Sequence, residues 1–320
     1  MRRATLMLLL AAGCASPGRE LPRSGDEIVV CGRLFHTGAP VVLWTDPGGY
    51  DGYRVERRFV PADEASWEKT AKAERAPKTP NRYDQRTEGL SPEELERVRG
   101  GGWDLPLLQR TVDQFVLHYD VCGTSRQCFK VLHDIRGLSV HFMLDLDGTI
   151  YQTLDLKERA WHATIANHRS IGIEIANIGA YSEADKTLDA WYARDDTGRT
   201  RVTLPAWMKE PGIRTADFIA RPDRDEVVVG EIHGSKLRQY DFTPAQYESL
   251  EKLVAALCAV FPKLRCDYPR DAEGRLITTV LAPEAFQAYS GVLGHFHVQR
   301  GKVDPGPAFQ WDRVIRGAKR

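Results

Sequence analysis

Apolar positions in residues 113–295 alternate between short runs typical of buried strands and a spacing typical of amphipathic helices. Strands are predicted at 113–119, 139–145, 149–152, 170–177, 226–233 and 291–295. Asp147-Gly148 is the preferred turn of a β-hairpin. Helices are predicted at 129–136, before Gly137, and from a capping box at Thr243 to about Pro262. Interleaved strands and helices predict an α/β fold, with a mixed central β-sheet flanked by helices.

The pattern of apolar positions is weaker before residue 113 and in the polar stretch that follows residue 180. Apolar stretches at 28–30 and 41–44, separated by turn signals, predict a small β-rich lobe. A capping box at Ser91 predicts a short helix that ends before Gly100. We therefore expect an N-terminal extension over 28–104 and a main domain over 105–320, with a polar insertion around 182–224. A C-terminal helix is expected to carry Phe309 and Trp311.

The first residues have the pattern of an export signal. Two arginines precede a mostly apolar run at 4–12, which is too short to span a bilayer as a helix. Small residues then lead into Cys14, which resembles the lipobox of bacterial lipoproteins. We expect a signal peptide at 1–13, a lipid anchor on Cys14 and a tether at 14–27. Ala15 after that cysteine favours the outer membrane and hence a periplasmic protein. The alternative is an ordinary cleaved signal with an incidental cysteine.

Charge and composition exclude two classes of protein. Lys and Arg number 44, as do Asp and Glu, so no basic excess points to a nucleic-acid partner. With 42% apolar and 28% charged residues, the 320-residue chain is expected to fold rather than remain disordered.

The six cysteines fit an oxidising compartment. Cys122 and Cys128, six residues apart with a glycine between them, form a plausible local disulfide. Cys258 and Cys266 could also pair, which would leave Cys31 free. The spacing alone does not fix these last pairings.

Two histidines at strand ends are candidate metal ligands. His118 lies at the end of one predicted strand and His295 at the end of another, and Asp304 follows in a loop rich in Pro and Gly. Two imidazoles and one carboxylate can hold Zn²⁺ and leave a coordination position open for water. His297 is an alternative to His295, because it would lie on the same face if the strand continued.

A larger set of motifs resembles the zinc-dependent N-acetylmuramoyl-L-alanine amidases. This is the type 2 amidase family, which is related to the peptidoglycan recognition proteins. The motifs occur in family order, within about 200 residues. They lie at 115–119, 139–142, 147–152, 159–163, 170–175, 294–295 and 302–309.

The resemblance implies a role for each matching residue. It makes His118, His295 and Asp304 the zinc ligands, and Glu174 and Lys302 the catalytic residues. It also implies that Trp161 and His162 line the substrate groove, although a core tryptophan with a hydrogen-bonded histidine is the simpler alternative. The pair Cys122 and Cys128 lies where recognition proteins carry a local disulfide. His141 is expected to be structural or to support a ligand.

The implied reaction is hydrolysis of the amide between N-acetylmuramic acid and L-alanine, with peptidoglycan or a muropeptide as substrate. The alternative is a non-catalytic peptidoglycan-binding module, since some relatives have lost a metal ligand. All three ligand positions are filled here, which favours the enzyme. A serine hydrolase is disfavoured because the chain has no Gly-x-Ser-x-Gly motif.

Overall fold

A computed structural model describes residues 17–18, 20–73, 76–100 and 102–320. The expected signal peptide at 1–13 and Cys14 lie outside these residues. The strands are β1 (Glu27–Val30), β2 (Arg33–His36), β3 (Val41–Leu43), β4 (Tyr83–Gln85), β5 (Gln114–Tyr119), β6 (Phe142–Leu144), β7 (Ile150–Gln152), β8 (Glu158–Ala160), β9 (Ser170–Ile175), β10 (Tyr192–Arg194), β11 (Thr200–Val202), β12 (Val228–Ile232), β13 (Ser235–Gln239) and β14 (Gly291–Gly294).

The helices lie between and after these strands. They are α1 (Trp67–Thr70), α2 (Pro92–Arg99), α3 (Leu105–Thr111), α4 (Ser125–Phe129), α5 (Thr187–Trp191), α6 (Pro244–Val260), α7 (Pro283–Ala288), α8 (His295–Val298) and α9 (Trp311–Ala318). Short 3₁₀ turns form at Ala62–Glu64 and Thr164–Ala166, and α4 continues as a π-helical segment, Lys130–Arg136.

The central sheet has six strands in the order β14–β5–β9–β6–β7–β3. The first four are parallel, β7 is antiparallel to β6, and β3 is parallel to β7. Because parallel strands end at the same edge, the carboxyl ends of β5, β9 and β14 meet on one side of the sheet. The predicted mixed α/β fold with flanking helices is confirmed.

Helix α6 covers one face of the sheet. The hydroxyl of Thr243 accepts the backbone N–H of Gln246, whose side chain caps Thr243 in return, as the capping box predicts. Apolar residues of α6 and of α9 belong to the main core together with those of β5 and β9. Helix α9 begins at Trp311, so Phe309 precedes the helix instead of lying in it, because Pro305 and Pro307 keep the preceding segment in turns.

The N-terminal extension contributes directly to the sheets of the main domain. Strand β3 forms one edge of the central sheet, and β4 pairs with β8 in an antiparallel ribbon. The side chain of Gln152 on β7 bonds to both the N–H and the C=O of Val29, at 2.7 and 2.8 Å, and so joins β1 to the same edge. Strand β12, within the predicted 226–233 segment, pairs only with β13.

The expected disulfide between Cys122 and Cys128 is not formed. The cysteines of the described residues are all free thiols. Burial and a side-chain hydrogen bond with Cys122 raise the pKa of Cys128, so the two thiols are neighbours without being bonded. Their oxidation therefore stays a prediction. Among the described residues, no helix combines the length and apolar character needed to cross a bilayer.

Candidate metal centre and adjoining cleft

Three side chains converge at the carboxyl edge of the central sheet. His118 lies near the end of β5, His295 directly follows β14, and Asp304 lies in the loop before α9. His118 is 2% exposed, His295 4% and Asp304 7%. Their ligand atoms lie close enough together to hold one metal ion.

The donor atoms form a nearly equilateral triangle. The two histidine Nδ1 atoms are 2.9 Å apart, and each lies 2.9 Å from Oδ2 of Asp304. The second nitrogen of each ring has its own partner. His295 Nε2 lies 3.0 Å from Gln299 Oε1, an acceptor that favours a proton on Nε2 and a free lone pair on Nδ1. The sequence-predicted ligand set therefore has the orientation that a metal site requires.

His118 is oriented by a row of polar groups behind it. Its Nε2 lies 3.0 Å from Nδ1 of His162, whose Nε2 lies 3.2 Å from the hydroxyl of Ser170. Burial, together with the neighbouring His295, lowers the pKa of His118 to about 4. For Asp304 burial alone would raise the pKa, but the two histidines outweigh it and hold the carboxyl well below its usual range. A neutral imidazole next to an ionised carboxylate is the protonation pattern of a metal-ligand set.

Glu174 lies beside this group. In the register of the sheet, Glu174 on β9 is paired with His118 on β5. Burial raises the pKa of Glu174 well above its ordinary value, the carboxylates of Asp304 and Asp120 add to this effect, and Lys302 opposes it. A carboxyl group with a raised pKa can both accept and return a proton near neutral pH.

Lys302 lies at the rim of the same cleft, two residues before Asp304. Its backbone oxygen lies 3.0 Å from Nε2 of His233, which fixes the path of the loop. The cleft is also lined by Trp161 and His162. The structure thus brings every sequence-predicted site residue of the main domain into one cleft. His162 also contacts the candidate ligand His118, in addition to its expected place in the groove.

Two alternatives for histidine roles are resolved by their contacts. The residues after Gly294 form a helical turn instead of a longer strand, so His297 does not share a face with His295. Its Nδ1 accepts the N–H of Gly294 at 2.9 Å, and its Nε2 lies 2.7 Å from Ile277 O. His141 is fully buried, and its Nδ1 accepts the N–H of Gly172 at 3.1 Å.

Sequence reasoning missed one residue that lines the cleft and one that contacts His162. Asp120 follows β5, and its Oδ1 accepts backbone N–H groups of Cys122, Gly123 and Asn177 at 2.9 to 3.2 Å. Burial raises its pKa to about 7. The Asp-x-x-Gly turn was the available signal. Gly172 on β9 carried no signal: a Cβ there would lie 2.5 Å from His162 Nδ1, so only glycine leaves room for that ring.

The fold and the cleft together define an α/β protein with a buried His-His-Asp group next to a half-buried glutamate. The family model for N-acetylmuramoyl-L-alanine amidase matches residues 108–307, more than half of the chain. The chain therefore belongs to the N-acetylmuramoyl-L-alanine amidase family, as the motifs predicted.

Individual relatives are distant. The chain is 21% identical, over 232 residues, to the 1,6-anhydro-N-acetylmuramyl-L-alanine amidase AmpD of Haemophilus influenzae, covering 72% of this chain and 78% of the relative. Among solved structures, the amidase AmiD from E. coli, in complex with anhydro-N-acetylmuramic acid-L-Ala-D-gamma-Glu-L-Lys, is 20% identical with a TM-score of 0.35, over 64% of this chain and 57% of that chain. The endolysin LysCS from Clostridium intestinale is 15% identical with a TM-score of 0.34, over 66% and 86%.

Proposed function

We propose that this protein is a zinc-dependent hydrolase that cleaves the amide between N-acetylmuramic acid and L-alanine in peptidoglycan or in fragments derived from it. The observation that carries the proposal is the buried triangle of His118, His295 and Asp304 beside Glu174. Family membership supports the amidase class. The name of the Haemophilus relative supports muropeptides as a substrate class.

The donor set fits zinc. Two imidazole nitrogens and one carboxylate oxygen are the ligand types of zinc sites that keep a position open. The partner of His295 Nε2 leaves its Nδ1 free to donate a lone pair. Zinc bound by these three side chains would supply a Lewis acid for the scissile carbonyl and lower the pKa of coordinated water to about 7.

Glu174 is proposed as the general base and acid. Its carboxylate would accept a proton from the attacking water and return it to the nitrogen of the leaving L-alanine. The raised pKa makes Glu174 a stronger base than an ordinary glutamate, which favours uptake of the proton from water.

Lys302 is proposed to stabilise the negative charge that develops on the carbonyl oxygen. It lines the same cleft as Glu174 and the donor triangle, and its ammonium is the matching charge for an oxyanion. Trp161 offers an aromatic wall at which the sugar or peptide portion can pack.

The decisive experiment is digestion of purified murein by the protein as isolated, after chelation, and after zinc is restored. Mass spectrometry of the products identifies stem peptides that begin with L-alanine. We expect release that stops on chelation and returns with zinc. Binding to murein without release, in protein shown to contain stoichiometric zinc, would leave a non-catalytic recognition module instead.

Two substitutions test the assigned roles. Glu174→Gln keeps the shape but removes the base, and we expect kcat to fall by about 10² to 10⁴. Lys302→Met should reduce kcat by about 10². Both variants should retain zinc, because neither residue belongs to the donor triangle. Loss of zinc from either variant would contradict its assigned role.

We further propose that the protein is exported and anchored through a lipid on Cys14 to the outer membrane, facing the periplasm. The basic start, the short apolar run and the cysteine support this location. Metabolic labelling with a fatty acid should mark the full chain but not a Cys14→Ser variant. Equal labelling of both would contradict the anchor.

A further inference from the structure

A two-stranded ribbon, to which the N-terminal extension contributes one strand, borders the cleft. Strands β4 and β8 pair with Asp84 opposite Arg159. Oδ2 of Asp84 accepts a hydrogen bond from Nε1 of Trp161 and another from the guanidinium of Arg159, both at 2.8 Å. The indole ring that forms one wall of the cleft is therefore held at its polar edge by a residue 77 positions earlier in the chain.

The backbone of Trp161 is tied to the same region. Its N–H donates to the hydroxyl of Ser139 at 3.0 Å. That hydroxyl in turn donates to the carbonyl of Arg82 at 2.6 Å. Both the ring and the backbone of Trp161 are thus fixed with respect to residues 82–84.

Arg86 connects the two ends of the loop that carries Trp161 and His162. This arginine is fully buried. Its guanidinium donates to four carbonyls at both ends of the loop, at 2.8 to 3.3 Å. The acceptors are Leu156, Asn167, His168 and Ser170. The side chain of Asn167 then accepts the backbone N–H groups of His162 and Ala163, at 3.2 and 2.7 Å.

We propose that Asp84 is a positioning residue for substrate binding, because it fixes the ring of Trp161 as a preformed wall of the cleft. Arg86 anchors the loop on which that wall stands. This inference rests on the proposed function, since the ligand is a muramyl peptide. Asp84 has no contact with Glu174 or with the donor triangle, so its effect is on binding and not on bond cleavage. A wall held in place before binding lowers the entropic cost of recognition.

The test is a double-mutant cycle on muramyl-peptide cleavage by the full, zinc-loaded chain. Asp84→Leu cannot accept the indole hydrogen bond, and Trp161→Phe cannot donate it. Each single variant should raise KM by about three- to tenfold, while kcat stays within about twofold of wild type. In the double variant, Asp84→Leu should add little to the effect of Trp161→Phe. Asp84→Asn retains an acceptor oxygen and should restore most of the affinity.

A matched control separates loss of the Asp84 contact from a general effect of changing the extension. Asp63→Leu changes another exposed aspartate of the extension, away from the cleft, and should leave KM unaltered. If the fold-increases in KM caused by Asp84→Leu and Trp161→Phe multiply in the double variant, the two residues act independently and the proposal is overturned. A loss of kcat at unchanged KM also overturns it.

The proposal can fail separately from the proposed function. If the zinc-loaded wild type releases no stem peptide, the amidase assignment fails, and the same variants are compared by calorimetry for their affinity toward a muramyl peptide. The Trp161 indole N–H resonance, assigned with Trp161→Phe, reports the Asp84 contact without any ligand. It should shift in Asp84→Leu. An unshifted resonance, or equal affinity of wild type and Asp84→Leu, overturns the positioning role.

Discussion

Gly172 makes room for a histidine behind the donor triangle because it has no side chain. The ring of His162 lies against its Cα, where a Cβ would approach Nδ1 to 2.5 Å. That same Nδ1 is the partner of His118 Nε2. The N–H of Gly172 also donates to His141 Nδ1, which fixes the backbone of β9 at this position. The space that a Cβ would fill is left for the ring of His162. Partners of metal-ligating histidines orient the rings and tune metal affinity.

Gly172→Ala is therefore expected to displace His162 and to weaken zinc binding by about 10- to 100-fold. Competition with a chromophoric chelator measures the affinity. Gly100→Ala is the matched control, because its Cβ would meet only an ordinary contact at 3.6 Å from Arg97 O. Zinc affinity equal to wild type in Gly172→Ala would contradict the orienting role of His162.

Strand β3 makes the extension part of the central sheet. It supplies the last strand beside β7, and Ile28, Val30, Val41 and Leu43 belong to the main core. Without it, the backbone groups of β7 on that side would lose their partners and form an exposed strand edge. Regions 28–104 and 105–320 are thus joined by shared hydrogen bonds and shared apolar contacts.

Deleting residues 1–104 should consequently abolish folding of the remainder. Each of the four lost apolar side chains contributes about 1.5 to 3 kcal/mol, and their sum approaches the typical stability of a whole domain, about 5 to 15 kcal/mol. Soluble yield and urea unfolding followed by circular dichroism measure the outcome. Deleting residues 1–20 is the control and should leave the urea midpoint unchanged. A 105–320 fragment with a wild-type midpoint would show that the extension is dispensable.

Buried acids give the molecule as a whole a distinctive dependence on pH. Asp145 is fully buried at the start of the β6–β7 turn, and its Oδ2 has no hydrogen-bond partner. Burial raises its pKa to about 8, and that of Asp120 to about 7. At these two positions the folded state therefore binds more protons than the unfolded chain above about pH 4, where an ordinary aspartate has ionised. Buried histidines such as His118 and His141, whose pKa values are lowered, act in the opposite sense below about pH 6.5.

We expect the contribution of these two aspartates to the free energy of unfolding to fall as the pH rises from about 6.5 to about 8, on the order of 2 kcal/mol for the two groups together. Asp145→Asn carries no charge at any pH and should flatten this decline. Urea unfolding at several pH values measures it, and exposed Asp63→Asn should follow the wild-type curve. A steeper decline in Asp145→Asn would refute the assignment of this dependence to Asp145.

Local patterns in the sequence predicted much of the sheet and the site. Strand runs and their ends located His118 and His295, and the capping box at Thr243 located α6. The motifs located Glu174 and Asp304. Contacts between distant segments gave no local signal. Val41 pairs with Ile150 across more than 100 residues, and Arg86 reaches carbonyls beyond residue 155. Gly172 could not be singled out, because its role depends on where His162 lies in space.

The row formed by His118, His162 and Ser170 allows only one placement of its hydrogen atoms once His118 offers a lone pair at Nδ1. The proton of that ring must then lie on Nε2 and point at His162 Nδ1, which makes His162 the acceptor there. Neutral His162 must carry its own proton on Nε2 and give it to the hydroxyl of Ser170. The tautomers of both rings are therefore set together, and a serine on the next strand helps to select the nitrogen that His118 presents to the donor triangle.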